Sequence, residues 1–157
     1  MQKQKAMKEF TNIDDILDFA IAREQDAVDF YNRLAGNARN NDMKKTFEQF
    51  AQEEMVHKAR LVKIKEEGVV SLPNEKVADL KVADYVVLES EREDMNYEQA
   101  LVLAMKREKA AFKLYMALSD RVDKAEYKEL FKQLAQEESR HKLRFELEYD
   151  EYVLREN

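Results

Sequence analysis

The sequence contains no cysteine, and this absence removes several kinds of chemistry. Disulfide bonds, thiolate zinc sites, cysteine-held iron–sulfur clusters and thiol nucleophiles are all excluded within these 157 residues. Any redox chemistry of the chain must therefore depend on a metal or a bound cofactor that other side chains hold.

Glycine and proline, which often mark turns, are also scarce: the chain has two glycines and one proline. Because the frequent residues Ala, Leu, Glu, Lys and Gln favour helices, the composition predicts an all-α protein. Hydrophobic residues make up 45% of the chain, enough to build an interior although 38% of it is charged. We expect one domain over residues 1–157.

Two classes of partner are disfavoured by what the chain lacks. Its formal net charge is -6 with both signs interspersed, so no basic stripe is available to bind a nucleic-acid backbone. No apolar run approaches the roughly 20 residues that cross a bilayer, and the N-terminus has no stretch typical of a signal peptide. We therefore expect no nucleic-acid partner, no membrane partner and a cytoplasmic location.

Two segments of the sequence recur at one spacing. REQDAVDFY at 23–31 is repeated as REKAAFKLY at 107–115, and AQEEMVHK at 51–58 is repeated as AQEESRHK at 135–142. Both repeats are offset by 84 residues, which indicates two copies of one helix–turn–helix unit. We expect a bundle with pseudo-two-fold symmetry.

Apolar residues recur every three or four positions in both copies, as in amphipathic helices. The spacing predicts four long helices in two hairpins, over about 12–67 and 96–151. Asn12 and Asn96 are the predicted N-caps of the first helix in each hairpin, because each precedes an acidic or amide residue by three positions.

The segment between the hairpins, about 68–95, is too long for a tight turn. It contains the only proline, Pro73, together with a short apolar patch. We interpret it as a crossover that runs along the bundle and includes a short helix. Gly36 and Gly68 are predicted to mark the ends of the two helices in the first hairpin.

Ionisable residues interrupt the apolar faces near the middle of the predicted helices. Six of them are expected to face one another: Glu24, Glu54, His57, Glu108, Glu138 and His141. A bare carboxylate in a dry core costs several kcal/mol, and four together would repel. Two divalent cations would balance four carboxylates, with neutral imidazoles completing the coordination.

The spacing of the histidines supports a metal site. The chain's only two histidines both occur in Glu-x-x-His motifs at matching positions of the repeat. Residues at i and i+3 share one helix face, so both can reach one ion. The alternative to a metal site is that each motif forms a surface ion pair or holds an ordinary core histidine. The occurrence of the motif in both copies of the repeat disfavours this alternative. Imidazole and carboxylate ligands suit iron, with manganese as the alternative metal.

One glutamate followed by Glu-x-x-His in each copy resembles the ferritin-like di-iron carboxylate superfamily, and most closely its rubrerythrin-like branch. The resemblance implies a ferritin-like antiparallel four-helix bundle, in which one long crossover joins two hairpins. It implies that Glu54 and Glu138 bridge two iron ions. It further implies that Glu24 and Glu108 are terminal ligands and that the histidine of each motif binds one metal.

The resemblance also implies a function. Proteins of this branch react a reduced di-iron site with hydrogen peroxide or dioxygen, so we expect a homodimeric oxidoreductase of the peroxidase or ferroxidase type. Rubrerythrins generally carry a rubredoxin domain with a Cys₄ iron site, which this cysteine-free sequence cannot form, so electrons would come from an external donor protein or reductant. Many also carry an extra glutamate near the metals; one turn beyond Glu24 and Glu108 this chain has Ala27 and Ala111, so such a ligand is absent there.

Other interpretations of the same residues remain open. The chain could bind or store iron without turnover, or be a helical interaction module with a vestigial site. Tyr31 and Tyr115 are candidates for hydrogen bonding to a ligand or for electron transfer, with ordinary core tyrosines as the favoured alternative. Glu53 and Glu137 point about 100° away from the bridging positions, so we expect them to be solvated or to support a ligand.

Overall fold

A computed structural model describes residues 9–156 of the chain. All regular secondary structure among these residues is helical, which confirms the all-α prediction. The elements are α1 (Ile13–Gly36), α2 (Asn41–Glu67), α3 (Asn74–Ala78), a 3-10 turn (Val82–Asp84), α4 (Tyr97–Arg121) and α5 (Ala125–Glu156). Within this described part of the chain, no helix is long and apolar enough to cross a membrane.

Side-chain caps fix where α1 and α4 begin. The Asn12 side chain accepts a hydrogen bond of 2.9 Å from the backbone N–H of Asp15. Asn96 accepts one of 2.8 Å from the N–H of Gln99, whose side chain accepts one of 3.0 Å from the N–H of Asn96. Both predicted N-caps are confirmed, and the second is a complete capping box.

The two glycines end their helices differently. Gly68 caps α2 in the left-handed conformation, at φ 62°, where a side chain would be strained. Gly36 is the last residue of α1, but Asn37 is the cap and has a φ of -114°. Gly36 thus marks the end of α1 as predicted, although no left-handed glycine is used there.

The repeat in the sequence is also a repeat in the structure. The first residues of α1 and α4 are 84 positions apart, and so are the first residues of α2 and α5. Helix α1 packs mainly against α2, and α4 packs mainly against α5, whereas α1 and α4 touch each other only slightly. The predicted hairpins are therefore present, with α3 and the 3-10 turn in the crossover between them.

Two apolar clusters fill the two ends of the bundle, and the predicted ligands lie between them. On α2, Ala51 belongs to one cluster and Leu61 to the other. Glu54 and His57 fall between those positions, and α5 shows the same arrangement in reverse order. The crossover packs into one cluster through Val77 and neighbouring residues. The centre of the bundle is therefore polar and closed at both ends by apolar packing.

Candidate metal centre

The structure brings the six predicted ligands together. None of the six residues is more than 2% exposed. They form two overlapping groups, in each of which one ligand atom from every residue lies within 4.8 Å of the others: Glu24, Glu54, His57 and Glu138, and Glu54, Glu108, Glu138 and His141. Only Glu54 and Glu138 belong to both groups.

Each histidine turns its Nδ1 atom toward the carboxylates. Nδ1 of His57 lies 3.3 Å from a Glu24 oxygen and 3.1 Å from a Glu54 oxygen. Nδ1 of His141 lies 3.4 Å from a Glu108 oxygen and 3.9 Å from a Glu138 oxygen, the repeat counterparts of Glu24 and Glu54. The two halves of the centre are therefore alike, as the repeat predicts.

Many buried polar atoms of this centre lack a hydrogen-bond partner in the described part of the chain. They are Glu54 Oε1 and Oε2, His57 Nδ1, Glu108 Oε2, Glu138 Oε1 and His141 Nδ1. A buried polar atom without a partner destabilises a fold by about 1–3 kcal/mol, and more when charged. Oxygen and imidazole nitrogen are ligands that iron and manganese accept. The residues present thus fit a pair of divalent cations.

Burial and mutual repulsion shift the ionisation of the carboxylates. Burial raises the pKa of Glu54 well above its usual range, and Glu138 and Glu24 raise it further. Burial, followed by repulsion from Glu138, raises the pKa of Glu108 to about 8. Burial lowers the pKa of His57, but contacts with Glu138 and Glu24 outweigh it and raise this pKa to about 11. Without metal ions, bound protons must supply the missing positive charge.

The other ring nitrogen of each histidine contacts a carboxylate of the opposite hairpin. Nε2 of His57 lies 3.1 Å from Glu137, and Nε2 of His141 lies 2.9 Å from Glu53. When Nε2 carries the proton and donates to the carboxylate, the lone pair of Nδ1 faces the centre. Glu53 and Glu137 therefore orient the histidines from outside the ligand groups. Of the two roles that the sequence left open for them, solvated or supporting a ligand, the structure favours the second.

Both tyrosines also reach across the hairpin boundary. Tyr31 of α1 donates a hydrogen bond to Glu108 of α4. Tyr115 of α4 donates one of 2.5 Å to Glu24 of α1. Each tyrosine is only 1% exposed, so both are core residues and both are hydrogen-bonded to a predicted ligand. The two interpretations of these tyrosines, as core residues and as hydrogen-bond donors to a ligand, are thus compatible.

A cavity that sequence reasoning missed adjoins the centre. It has a volume of about 200 Å³ and lies between α1 and α4 under the crossover segment. Its walls include Arg107, Ala27 and Ala111, and its floor includes Glu24 and Glu108. The only sequence signal for it is the presence of alanines beside Glu24 and Glu108, because their short side chains leave space between the helices.

Comparisons with known proteins agree with this geometry. A candidate ferritin-like diiron-carboxylate protein from Thermotoga maritima has a similar structure, with a TM-score of 0.75 and 22% sequence identity over 93% of this chain and 99% of that chain. A hypothetical protein from Pyrococcus furiosus gives a TM-score of 0.65 and 27% identity over 86% of both chains. The predicted ferritin-like bundle is thereby confirmed.

The family assignment comes from the sequence itself. Among curated proteins, none matches the chain significantly. A sequence model of the rubrerythrin family, however, matches residues 15–149, which cover most of both hairpins and include all six predicted ligands. The chain therefore belongs to the rubrerythrin family.

Proposed function

We propose that this protein is an oxidoreductase that holds two iron ions and reacts the reduced pair with hydrogen peroxide or dioxygen. The observation that carries the proposal is the set of buried ligand atoms that have no partner within the described structure. Membership of the rubrerythrin family supports the same conclusion. Manganese suits these ligands as well, so elemental analysis of the purified protein is the first measurement.

The two ligand groups suggest how the residues would share a metal pair. Glu54 and Glu138 are common to both groups and would bridge the ions. Each ion would be completed by the remaining glutamate and the histidine of its own group. Four glutamates and two divalent ions give a neutral centre, which removes the repulsion that raises the carboxylate pKa values.

The chemistry that two ferrous ions supply when bound is the transfer of one electron from each to the oxidant. The protein's own residues fix the geometry around that chemistry. Glu53 and Glu137 hold the histidine rings, while Tyr31 and Tyr115 hold the terminal carboxylates. The apolar clusters close the two ends of the bundle to water.

We propose further that a separate donor protein or reductant restores the ferrous state and that the chain acts as a homodimer. A chain without cysteine has no thiolate-held iron of its own to pass electrons. Sedimentation of the purified protein tests the dimer. Steady-state peroxide consumption with and without added reduced rubredoxin tests the donor.

The redox proposal is tested by loading the protein with ferrous iron in the absence of oxygen and then adding peroxide. We expect two irons per chain, rapid appearance of ferric absorption in the near ultraviolet, and loss of peroxide. Glu54→Gln should lose iron and absorbance together. Glu48→Gln, an exposed position on the same helix, is the matched control and should behave as the native protein.

Other results would select another function. Two bound irons that peroxide and dioxygen leave ferrous would overturn the oxidoreductase and favour iron binding alone. A large oligomer that accumulates many irons per chain would indicate storage. A chain that takes up neither iron nor manganese, and whose melting temperature ignores both, would leave a helical interaction module.

A further inference from the structure

The cavity beside the metal centre has an apolar wall and a polar mouth. Ala27 and Leu114 are buried in its wall, and Ala111 beside them is half-buried. The floor consists of carboxylates from the centre, which are at most 2% exposed. Charged and partly exposed residues of α1, α4 and the crossover surround the mouth.

Most charges at this mouth are already paired. Arg23 forms an ion pair of 2.8 Å with Asp26. Glu89 of the crossover forms one of 2.5 Å with Lys106. Their charges cancel, so none of these residues is a strong site for a further ion.

Arg107 is the exception among the charged residues of the mouth. It occupies the repeat position of Arg23 but has neither an ion-pair nor a hydrogen-bond partner among the residues that the structure describes. Its guanidinium is half-buried and lies 4.8 Å from the ring centre of Phe30, which fixes its orientation. A half-buried guanidinium has five N–H donors suited to a planar anion such as a carboxylate.

We propose that this cavity binds a small organic monocarboxylate, whose carboxylate pairs with Arg107 and whose apolar body lies against Ala27 and Ala111 toward the metal centre. This inference rests on the proposed function, because the ligand would lie against the metal-loaded centre. The ligand would be a second substrate or an effector of the same site.

The volume of the cavity sets the size of the ligand. A water molecule takes up roughly 30 Å³ in the liquid, and a dry cavity of about 150 Å³ holds benzene. The cavity here measures about 200 Å³, which is more than peroxide or dioxygen needs. Since metal ions would take up part of the floor, a molecule the size of benzoate or a short fatty acid fits.

Benzoate is a suitable probe, and zinc makes the loaded protein redox-inert. We expect zinc-loaded protein to bind benzoate measurably by titration calorimetry. Benzamide, a neutral molecule of the same shape, should bind at least about tenfold more weakly because it cannot form a charge-assisted pair.

The orientation of the probe can be read by NMR. In manganese-loaded protein the paramagnetic ions speed the relaxation of nearby ligand protons. If the carboxylate is held at the mouth, the para proton of benzoate should relax faster than the ortho protons. The opposite order would show that benzoate binds the metal ions directly, and it would overturn the proposal.

Matched variants test the residues. Arg107→Gln should weaken benzoate binding at least about tenfold, whereas Arg23→Gln, at the equivalent but ion-paired position, should change it less than about twofold. Ala111→Leu should fill the cavity and also weaken binding about tenfold or more. Metal content and melting temperature are measured for each variant, so that a folding defect is recognised.

The outcomes separate the two proposals. A protein that takes up no metal overturns the proposed function and, with it, this inference. Full metal uptake without benzoate binding overturns this inference alone. Equal affinities for benzoate and benzamide, or equal losses in the two arginine variants, would show that Arg107 does not recognise a carboxylate and would also overturn it.

Discussion

The hydroxyl of Tyr115 on α4 donates a hydrogen bond of 2.5 Å to Glu24 on α1, across the boundary between the two hairpins. Tyr31 and Glu108 form the reciprocal bond. Within each hairpin the helices pack closely, but α1 and α4 touch only slightly. These two tyrosines therefore link the halves of the bundle at Glu24 and Glu108.

Replacing this tyrosine should weaken both the fold and the site. Tyr115→Phe leaves a buried Glu24 oxygen without its donor, so we expect the free energy of unfolding to fall by about 1–2 kcal/mol and metal affinity to fall about tenfold or more. Urea denaturation and metal titration measure the two effects. Tyr127→Phe, at a half-buried tyrosine with no hydroxyl hydrogen bond in the described structure, should change neither. Equal results for the two variants would contradict the prediction.

Glu54 should reduce the stability of the metal-free protein. Its pKa is raised mainly by burial, so at pH 7 folding must either protonate it or tolerate its charge. Glu54→Gln removes this penalty, and we expect the metal-free protein to gain about 1–3 kcal/mol at pH 7 while losing the stabilisation that metal confers.

The sign of this effect sets its pH dependence. A carboxyl group whose folded pKa lies above its unfolded value destabilises the fold at pH values above the unfolded value, about 4.3 for Glu. The gain in Glu54→Gln should therefore shrink as the pH falls toward 4, because Glu54 then becomes largely protonated in the unfolded state as well. Urea denaturation at both pH values measures it, and a gain that is equal at pH 4 and pH 7 would refute the explanation.

Glu53 should matter to metal affinity although it lies outside both ligand groups. It contacts Nε2 of His141 at 2.9 Å and also accepts a hydrogen bond of 2.6 Å from Arg140. Glu53→Ala frees the imidazole to rotate and to change its protonated nitrogen, so metal affinity should fall about 10–100-fold. Metal competition titrations measure this. Glu48→Ala, on the exposed face of the same helix, should leave affinity unchanged.

Glu148 is a buried charge that serves stability rather than the metal centre. It is 0% exposed and accepts two hydrogen bonds from Arg39, at 2.8 and 2.9 Å, and one of 2.8 Å from Tyr97. Arg39→Met would leave the carboxylate without its counter-ion, so we expect a loss of about 3–5 kcal/mol in unfolding free energy.

The double variant Arg39→Met, Glu148→Met removes both charges and should recover most of that loss. Urea denaturation measures both variants, and metal content should stay at the native level. A double variant no more stable than Arg39→Met alone would show that packing, not the unpaired charge, causes the loss.

Much of the bundle could be predicted because the relevant signals are local or repeated. The N-caps Asn12 and Asn96 act within three residues, and the apolar spacing acts within one helical turn. The offset of 84 residues then predicted that α1–α2 and α4–α5 are copies of one hairpin, as their first residues confirm.

The surroundings of the site were less predictable. Glu53 and Glu148 look alike in sequence, as acidic residues among other charges, yet one orients a histidine and the other neutralises Arg39. Arg23 and Arg107 occupy equivalent positions, but only Arg23 has an ion-pair partner within the described structure. Each difference depends on which residue of another helix lies opposite.

The sequence by itself determined the helices, their repeat and which side chains share a buried face, because these follow from periodicity along one chain segment. Only the tertiary structure decided that Tyr115 meets Glu24, that Glu53 meets His141, and that α1 and α4 leave a cavity between them. The two hydrogen-bonded pairs join residues that are 91 and 88 positions apart in the sequence. They depend on the distance and register between packed helices, which no local pattern encodes.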